Sequence, residues 1–158
     1  MSATIGKELQ EKLRDAAGRD STTVAVPGEG VVVSVDVDGC DRYGAGFRGL
    51  RVSPAEPLAD VGEAAQRIAG QVDAIDRLKV IEYEAPLGEA ILRSAEPETD
   101  EAGVTYWEAT VKPDETAVHR YHKAHAEPDR QVVVEPVTHR EVGELANQIV
   151  DALKGDGE

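Results

Sequence analysis

Several residue types are scarce in this 158-residue chain, and each scarcity excludes a class of structure or chemistry. Cys40 is the single cysteine, so an intrachain disulfide and a zinc site built from several thiolates are both excluded. Asp38 and Asp41 lie close to Cys40 and favour its neutral thiol, which argues against a reactive cysteine. Aromatic residues make up only 4% of the chain, so the core has to be built from aliphatic side chains.

Segments that would mark a membrane protein, a secreted protein or a familiar enzyme are missing as well. No run of about 18 apolar residues occurs, and the opening MSATIGKELQ lacks the basic and apolar regions of a secretory signal. There is no G-x-S-x-G segment, no H-E-x-x-H pair, and no Lys-Ser/Thr after the glycine-rich stretch RYGAGFRG. We therefore predict a soluble cytoplasmic protein with no membrane association, no cofactor and no catalytic residue that can be nominated.

Acidic residues dominate the charged set, because 31 Asp and Glu against 17 Lys and Arg give a net charge of −14. Such a charge repels phosphate backbones, so the sequence predicts no nucleic-acid partner. Two interpretations of the acidity stay open. It can form a surface that attracts a protein partner with a basic surface, or it can serve solubility, including adaptation to a salty cytoplasm, since only six lysines are present.

Hydrophobic periodicity predicts three helices and two groups of strands. Apolar residues at helical spacing mark residues 4–18, a central helix that begins near residue 61, and a C-terminal helix over residues 140–154. Alternation predicts three strands before the central helix and four or five after it. With 41% apolar residues, we predict a single α+β domain over residues 1–158. An antiparallel sheet of about six to eight strands would be covered by N-terminal, central and C-terminal helices.

Turn residues predict how the strands connect. In TTVAVPGEGVVVSVDVDG, Pro27-Gly28 suits the central positions of a type II turn. The strand after it has an apolar face made of alternate valines, namely Val31, Val33, Val35 and Val37. Pro86-Leu87-Gly88 is predicted to be another turn, and QVVVEPV a single strand.

One segment occurs twice. VGEAAQRI at residues 61–68 and VGELANQI at residues 142–149 match at five of eight positions, and VDAI and VDAL follow them. The match predicts a duplicated strand-strand-helix unit, with halves of about residues 20–78 and 79–154 related by a pseudo-twofold axis. The alternative is convergence, because Ala, Glu, Val and Gly are common in this chain.

The order of elements resembles that of the small acidic type III secretion chaperones, which have a helix-strands-helix-strands-helix plan and dimerise. The likeness is architectural: it extends to the helix-hairpin opening, and the second half of this chain carries more strands. We do not infer membership of that family. A homodimer is nevertheless an alternative, because the apolar stripe of the N-terminal helix is narrow and terminal helices of this kind are common dimer contacts.

Three of the four histidines, His119, His122 and His125, lie within HRYHKAH and are weak candidates for metal ligands. If residues 114–126 form a strand, His119 and His125 are about 20 Å apart and His122 points to the other face. If these residues form a helix, pairs of histidines at i and i+3 could bind one ion. The preceding KPDE turn favours the strand, and the helix stays open.

Basic and aromatic side chains cluster in RYGAGFRG, where Arg42, Tyr43, Phe47 and Arg48 are weak candidates for contact with a small anionic ligand or a partner peptide. The glycines of this stretch, Gly44, Gly46 and Gly49, are predicted to permit positive φ in a loop or a bulge in the following strand.

We predict a non-enzymatic acidic binding or adaptor protein whose partner has a basic surface. The alternative function is a metal-dependent or small-molecule-binding enzyme that uses the His119–His125 cluster, with His139 as a further candidate.

Overall fold

The computed structural model of the protein describes residues 3–86 and 88–155, and in that part of the chain three helices pack on one antiparallel sheet. The predicted α+β class is confirmed. The helices are α1 (Ala3–Asp15), α2 (Val61–Gln71) and α3 (His139–Lys154). The strands are β1 (Ser21–Gly28), β2 (Val31–Cys40), β3 (Gly44–Pro54), β4 (Leu78–Glu84), β5 (Glu89–Ser94), β6 (Glu98–Thr99), β7 (Gly103–Val111), β8 (Thr116–Ala124), β9 (Gln131–Val132) and β10 (Glu135–Thr138). None of the described helices is long and apolar enough to span a membrane.

Seven strands form the body of the sheet, in the order β1-β2-β3-β8-β7-β5-β4. The short strands β6, β9 and β10 pair with β7, β8 and β3 respectively. The two halves of the chain meet where β3 pairs with β8, with Leu50 opposite Val118. This seam joins the N-terminal strands to the C-terminal strands and makes one continuous sheet.

The helices cover one face of the sheet. α1 packs against β1 and α3, whereas α2 packs against β4, β5 and α3. The predicted valine face of β2 is confirmed, since none of its four valines is more than 9% exposed. α3 begins with a capping box, in which the Thr138 side chain accepts from the Glu141 N–H and the Glu141 carboxylate accepts from the Thr138 N–H.

Glycines let α1 and α3 approach closely. A Cβ atom on Gly143 would lie 2.8 Å from the Gly6 carbonyl oxygen, and one on Gly6 would lie 2.6 Å from the Gly143 carbonyl oxygen. The Gly6 N–H, which belongs to the first turn of α1, donates to Asn147 Oδ1 at 2.9 Å. The backbones of α1 and α3 can therefore approach this closely only because neither Gly6 nor Gly143 carries a side chain.

The turn of the first hairpin differs from the prediction. Pro27 and Gly28 belong to β1, and the turn consists of Glu29 and Gly30, whose φ angles are 53° and 80°. Positive φ at both positions is the type I′ geometry, which suits the twist of a two-residue hairpin better than a type II turn does. Pro27 is tolerated in β1 because β1 is an edge strand.

The glycines of RYGAGFRG also have a different role from the loop role predicted for them. Gly44, Gly46 and Gly49 lie in β3, and none of them has a positive φ. They permit close approach, because a Cβ at Gly44 would overlap the Val137 carbonyl oxygen. The bulge alternative fits this strand, since the register of β3 with β2 skips Arg48.

QVVVEPV does not form one strand. It divides between β9 and β10, which pair with β8 and β3 respectively, and Val132 and Val134 are exposed. At the Pro86-Leu87-Gly88 turn, Leu87 lies outside the described residues, and Gly88 has a φ of 62°.

The sheet order bears on the duplication without testing it. The strands β1, β2 and β3 run from one side of the sheet to the seam, and β5, β7 and β8 run to the same seam from the other side. Each triplet precedes one copy of the repeated helical segment. This arrangement is compatible with a duplicated unit, which stays a prediction.

Candidate functional site

A cavity of about 240 Å³ lies where α3, β10 and the loop between α2 and β4 meet the sheet. Phe47 and Trp107 form its aromatic wall, with ring centroids 5.5 Å apart. The charged residues of the lining are four carboxylates and one guanidinium, namely Asp76, Glu98, Glu135, Glu141 and Arg120. The lining therefore carries three more negative than positive groups. We call it the acidic cavity.

Arg120 is the central polar side chain of the acidic cavity. It lies on the helix-facing side of β8 and is only 8% exposed. Its Nη2 donates to Glu98 at 2.6 Å, its Nε forms an ion pair with Glu135 at 3.1 Å, and Cζ lies 5.3 Å from the centroid of the Trp107 ring. One charged hydrogen bond, one ion pair and a cation–π contact thus hold the guanidinium against the indole.

A buried serine links the aromatic wall to a carboxylate. The Ser94 hydroxyl accepts from the Trp107 backbone N–H at 2.8 Å and donates to Asp76 Oδ2 at 3.2 Å. Because one hydroxyl, 3% exposed, makes both contacts, the loop that carries Asp76 is fixed relative to β7.

Glu135 and Glu141 are positioned by β10 and by the start of α3. Glu141 belongs to the capping box of α3, and its Oε1 accepts from the Thr138 N–H at 2.8 Å. Glu135 lies opposite Phe47 in the pairing of β10 with β3. The acidic cavity is thus assembled from backbone pairings and a helix cap, which place its carboxylates before any ligand arrives.

The size and charge of the acidic cavity define what it can hold. Pockets for small-molecule ligands usually have volumes of about 300–1,000 Å³, so a cavity of about 240 Å³ suits a single side chain or a small amine. Carboxylates beside aromatic rings attract ammonium and guanidinium groups through hydrogen bonds and the ring quadrupole. The geometry therefore favours an organic cation.

The structure places the three clustered histidines apart. Residues 116–124 form β8, as favoured from the sequence, so His119 and His122 face opposite sides of the sheet. His122 Nδ1 is 2.8 Å from Thr105 Oγ1, and His125 Nε2 is 3.0 Å from the Asp100 carbonyl oxygen. Within residues 3–86 and 88–155, no three His, Cys, Asp or Glu side chains are grouped so that they could hold a metal ion.

The predicted ligand-contact residues Arg42, Tyr43, Phe47 and Arg48 do not form one surface. Phe47 is 1% exposed and contributes to the acidic cavity, whereas Tyr43 is 74% exposed with the Arg42 guanidinium 5.7 Å from its ring centroid. Arg48 pairs with Asp38 at 3.1 Å. Their role in ligand contact stays a prediction, and Phe47 is the residue that lines a cavity.

A second charged cluster lies on the sheet face that the helices leave open. Glu108 is 4% exposed and accepts from Arg93 Nε at 2.7 Å and from both Nη atoms of Arg130 at 2.7 and 2.9 Å. Burial tends to raise the pKa of Glu108, but the hydrogen bonds from Arg130 and Arg93 outweigh it and hold the pKa below its usual range. The charged groups of this cluster are paired with one another, so we assign the cluster a structural role in the sheet.

Cys40 and His139 form a buried contact at the start of α3. The Cys40 Sγ donates to the Leu13 carbonyl oxygen at 3.1 Å and lies 3.7 Å from His139 Nε2. Burial, followed by the charge of Asp41, raises the pKa of the thiol. The thiol is thus held neutral, in line with the expectation from the sequence.

The buried His139 and the partly buried His119 predict a dependence of stability on pH. Burial lowers the pKa of both His119 and His139 below the usual 6.5. The unfolded chain therefore binds more protons than the folded chain near pH 6, so the free energy of unfolding falls as pH decreases below about 6.5. In urea unfolding, we expect the free energy of unfolding to decrease less between pH 7.5 and pH 5.5 in the double variant His119→Gln/His139→Gln than in the unmodified protein. An equal loss in both proteins would contradict the assignment.

Comparisons with protein-family models, with curated proteins and with solved structures found no match to this chain. Its function has to be inferred from the site.

Sequence reasoning missed the acidic cavity, although one signal was present. In TAVHRYHKA, Arg120 alternates with Val118 and therefore takes a position on the apolar face of its strand. A buried charged residue at such a position needs partners of opposite charge. Those partners, Glu98 and Glu135, lie in other strands, and their pairing with Arg120 depends on the register of the sheet.

Proposed function

We propose that the protein is a non-enzymatic acidic binding protein, an adaptor that accepts a lysine or arginine side chain of a basic partner in the acidic cavity. The observation that carries the proposal is the excess of carboxylates around an aromatic wall in a cavity of side-chain size. As the sequence predicts, the encounter would occur in the cytoplasm.

Two further features support this proposal. Arg120 already lies against the Trp107 ring and pairs with Glu98 and Glu135, and these contacts with a guanidinium support the proposal. The Glu98 side chain is 72% exposed and that of Glu135 is 34% exposed, so both remain accessible to a second cation from outside. The net charge of −14 would attract a basic partner from a distance and speed the encounter.

A titration with N-acetyl-arginine amide tests the proposal, because Trp107 is the single tryptophan of the chain and lines the acidic cavity. We expect a saturable change of tryptophan fluorescence with a dissociation constant of about 1 mM, as suits one side chain. The double variant Glu98→Gln/Glu135→Gln should bind about tenfold more weakly, since each ion pair contributes up to about 1 kcal/mol.

Two controls separate a specific site from general acidity. Glu56→Gln removes an exposed carboxylate that does not line the acidic cavity and should leave the dissociation constant unchanged. N-acetyl-glutamate amide should produce no saturable change. If the anionic probe binds and the double variant strengthens its binding, the acidic cavity serves Arg120 as an anion site and the proposal is wrong.

A further inference from the structure

A second concave surface lies on the outer side of α2. It is a groove of about 580 Å³ between α2 and β4. Its α2 side includes the N-cap residue Asp60 with Gly62, Glu63 and Gln66, and its β4 side consists of Val80 and Tyr83. Tyr83 is 48% exposed, and its neighbour Ile81 is 42% exposed. We call this surface the α2 groove.

The α2 groove corresponds to a place where a helix already docks in the other half of the chain. In the repeated segment, Gly62 of α2 aligns with Gly143 of α3, and Gln66 aligns with Asn147. Gly143 contacts the backbone of α1 at Gly6, and Asn147 Oδ1 accepts from the Gly6 N–H in the first turn of α1. The aligned positions in α2 therefore have the same two features, a glycine that permits close approach and a side-chain amide.

Gly62 and Gln66 both line the α2 groove. The Tyr83 ring lies over Gly62, since a Cβ there would be 3.1 Å from Tyr83 Cζ. The Tyr83 ring fills part of the space over Gly62 that corresponds to the position of α1 over Gly143. About half of the Tyr83 surface remains exposed.

Charge identifies the kind of helix that would fit. Asp60 and Glu63 contribute carboxylates at the N-terminal end of the α2 groove. The one basic residue of the lining, Arg67, is directed towards α3, where its Nε donates to the Ala152 carbonyl oxygen at 2.6 Å. The lining thus carries two carboxylates and one guanidinium, so its net charge is negative and complements a cationic helix.

We propose that the α2 groove docks an amphipathic helix of a partner protein, with an apolar stripe against Tyr83 and Val80 and with lysine or arginine beside Asp60 and Glu63. The first turn of that helix lies near Gln66, as the first turn of α1 lies near Asn147. This site is on a different surface from the acidic cavity and does not depend on it.

Selection from a displayed peptide library tests this site. The peptides are about 18 residues long, enough for helix formation, and keep the apolar spacing of Ile5, Leu9 and Leu13 in α1 while all other positions vary. We expect enriched peptides to carry an excess of Lys and Arg and to bind the protein with dissociation constants of about 10 µM. Enrichment of neutral or acidic peptides, or no enrichment, would overturn the proposal.

Variants of α2 locate the binding. Gly62→Leu and Gln66→Trp both fill the α2 groove, and either should weaken the enriched peptides at least tenfold, so a folding failure of one variant leaves the other. Gly70→Leu is the matched control, because Gly70 is exposed and a Cβ there meets nothing within 4 Å. Equal binding to groove variants and control would contradict the assignment.

Two further experiments distinguish docking of a partner helix in the α2 groove from binding at the acidic cavity and from self-association. The variant Glu98→Gln/Glu135→Gln should retain peptide binding, which distinguishes failure of the α2 groove from failure of the acidic cavity. Sedimentation velocity of the protein alone should give a monomer. A dimer that Gly62→Leu abolishes would identify the occupant as a second copy of this chain and overturn the proposal of a basic partner.

Discussion

Replacing Gly143 by leucine is expected to lower the free energy of unfolding by about 3 kcal/mol, which corresponds to a decrease of about 10 °C in Tm for a domain of this size. The side chain would enter the space where Gly6 and Gln10 of α1 contact α3. The Gly6 carbonyl oxygen is backbone, so it can move away only if α1 moves as a whole. That movement would also break the Gly6 to Asn147 hydrogen bond.

Gly70→Leu provides the control for this prediction. Both glycines lie in helices, so both substitutions gain helix propensity, but Gly70 faces open space. Its variant should be as stable as the unmodified protein or more so. Urea unfolding followed by circular dichroism measures both. Equal stability of the two variants would mean that the contact between α1 and α3 is looser than described.

Replacing Glu108 by glutamine is expected to lower the free energy of unfolding by about 2 kcal/mol at pH 7. Removing one member of a fully buried ion pair costs about 3–5 kcal/mol. The Arg93 and Arg130 side chains are 42% and 34% exposed, so water can partly solvate the charges left behind, and the effect should be smaller.

The dependence on pH distinguishes this ion pair from a packing effect. The pKa of Glu108 in the folded protein lies below the ordinary 4.5, so its contribution is complete above pH 4.5 and is lost as pH falls through the folded value. The difference between the protein and Glu108→Gln should therefore narrow as pH decreases below about 4.5. Glu89→Gln, which removes the weaker 3.7 Å pair with Lys112, should change stability by less than about 0.5 kcal/mol. A difference independent of pH would contradict the assignment.

Elements with strong periodicity were predictable from the sequence. The alternate valines of β2 and the apolar spacing of α3 each depend on residues close in the chain, and both elements form as expected. The separation of His119 and His122 also followed from local pattern, because a strand directs neighbouring odd and even positions to opposite faces.

Features that depend on competition between local signals were not predictable. Pro27-Gly28 is a strong turn signal, yet the turn forms at Glu29-Gly30, where pairing of β1 with β2 continues to Gly28 opposite Val31. The pairing register of β1 with β2 therefore determines where the turn forms.

The acidic cavity depends on contacts between residues distant in the chain. Asp76 comes from a loop, Glu98 from β6 and Glu135 from β10, and only the sheet register and the start of α3 bring them to Arg120. The alternation around Arg120 could have indicated a buried charge, but it could not identify the carboxylates that surround it.

The most direct test of the proposed function is to map where a small cation binds. In heteronuclear NMR spectra of the labelled protein titrated with N-acetyl-arginine amide, we predict the largest saturable shifts at the Trp107 indole N–H, at Arg120 Nε and in residues 134–142. These groups line or adjoin the acidic cavity. Small shifts spread over other acidic segments, such as residues 82–84, 114–115 and 127–129, with none at Trp107, would mean that the protein attracts cations only by its net charge and would contradict the proposal.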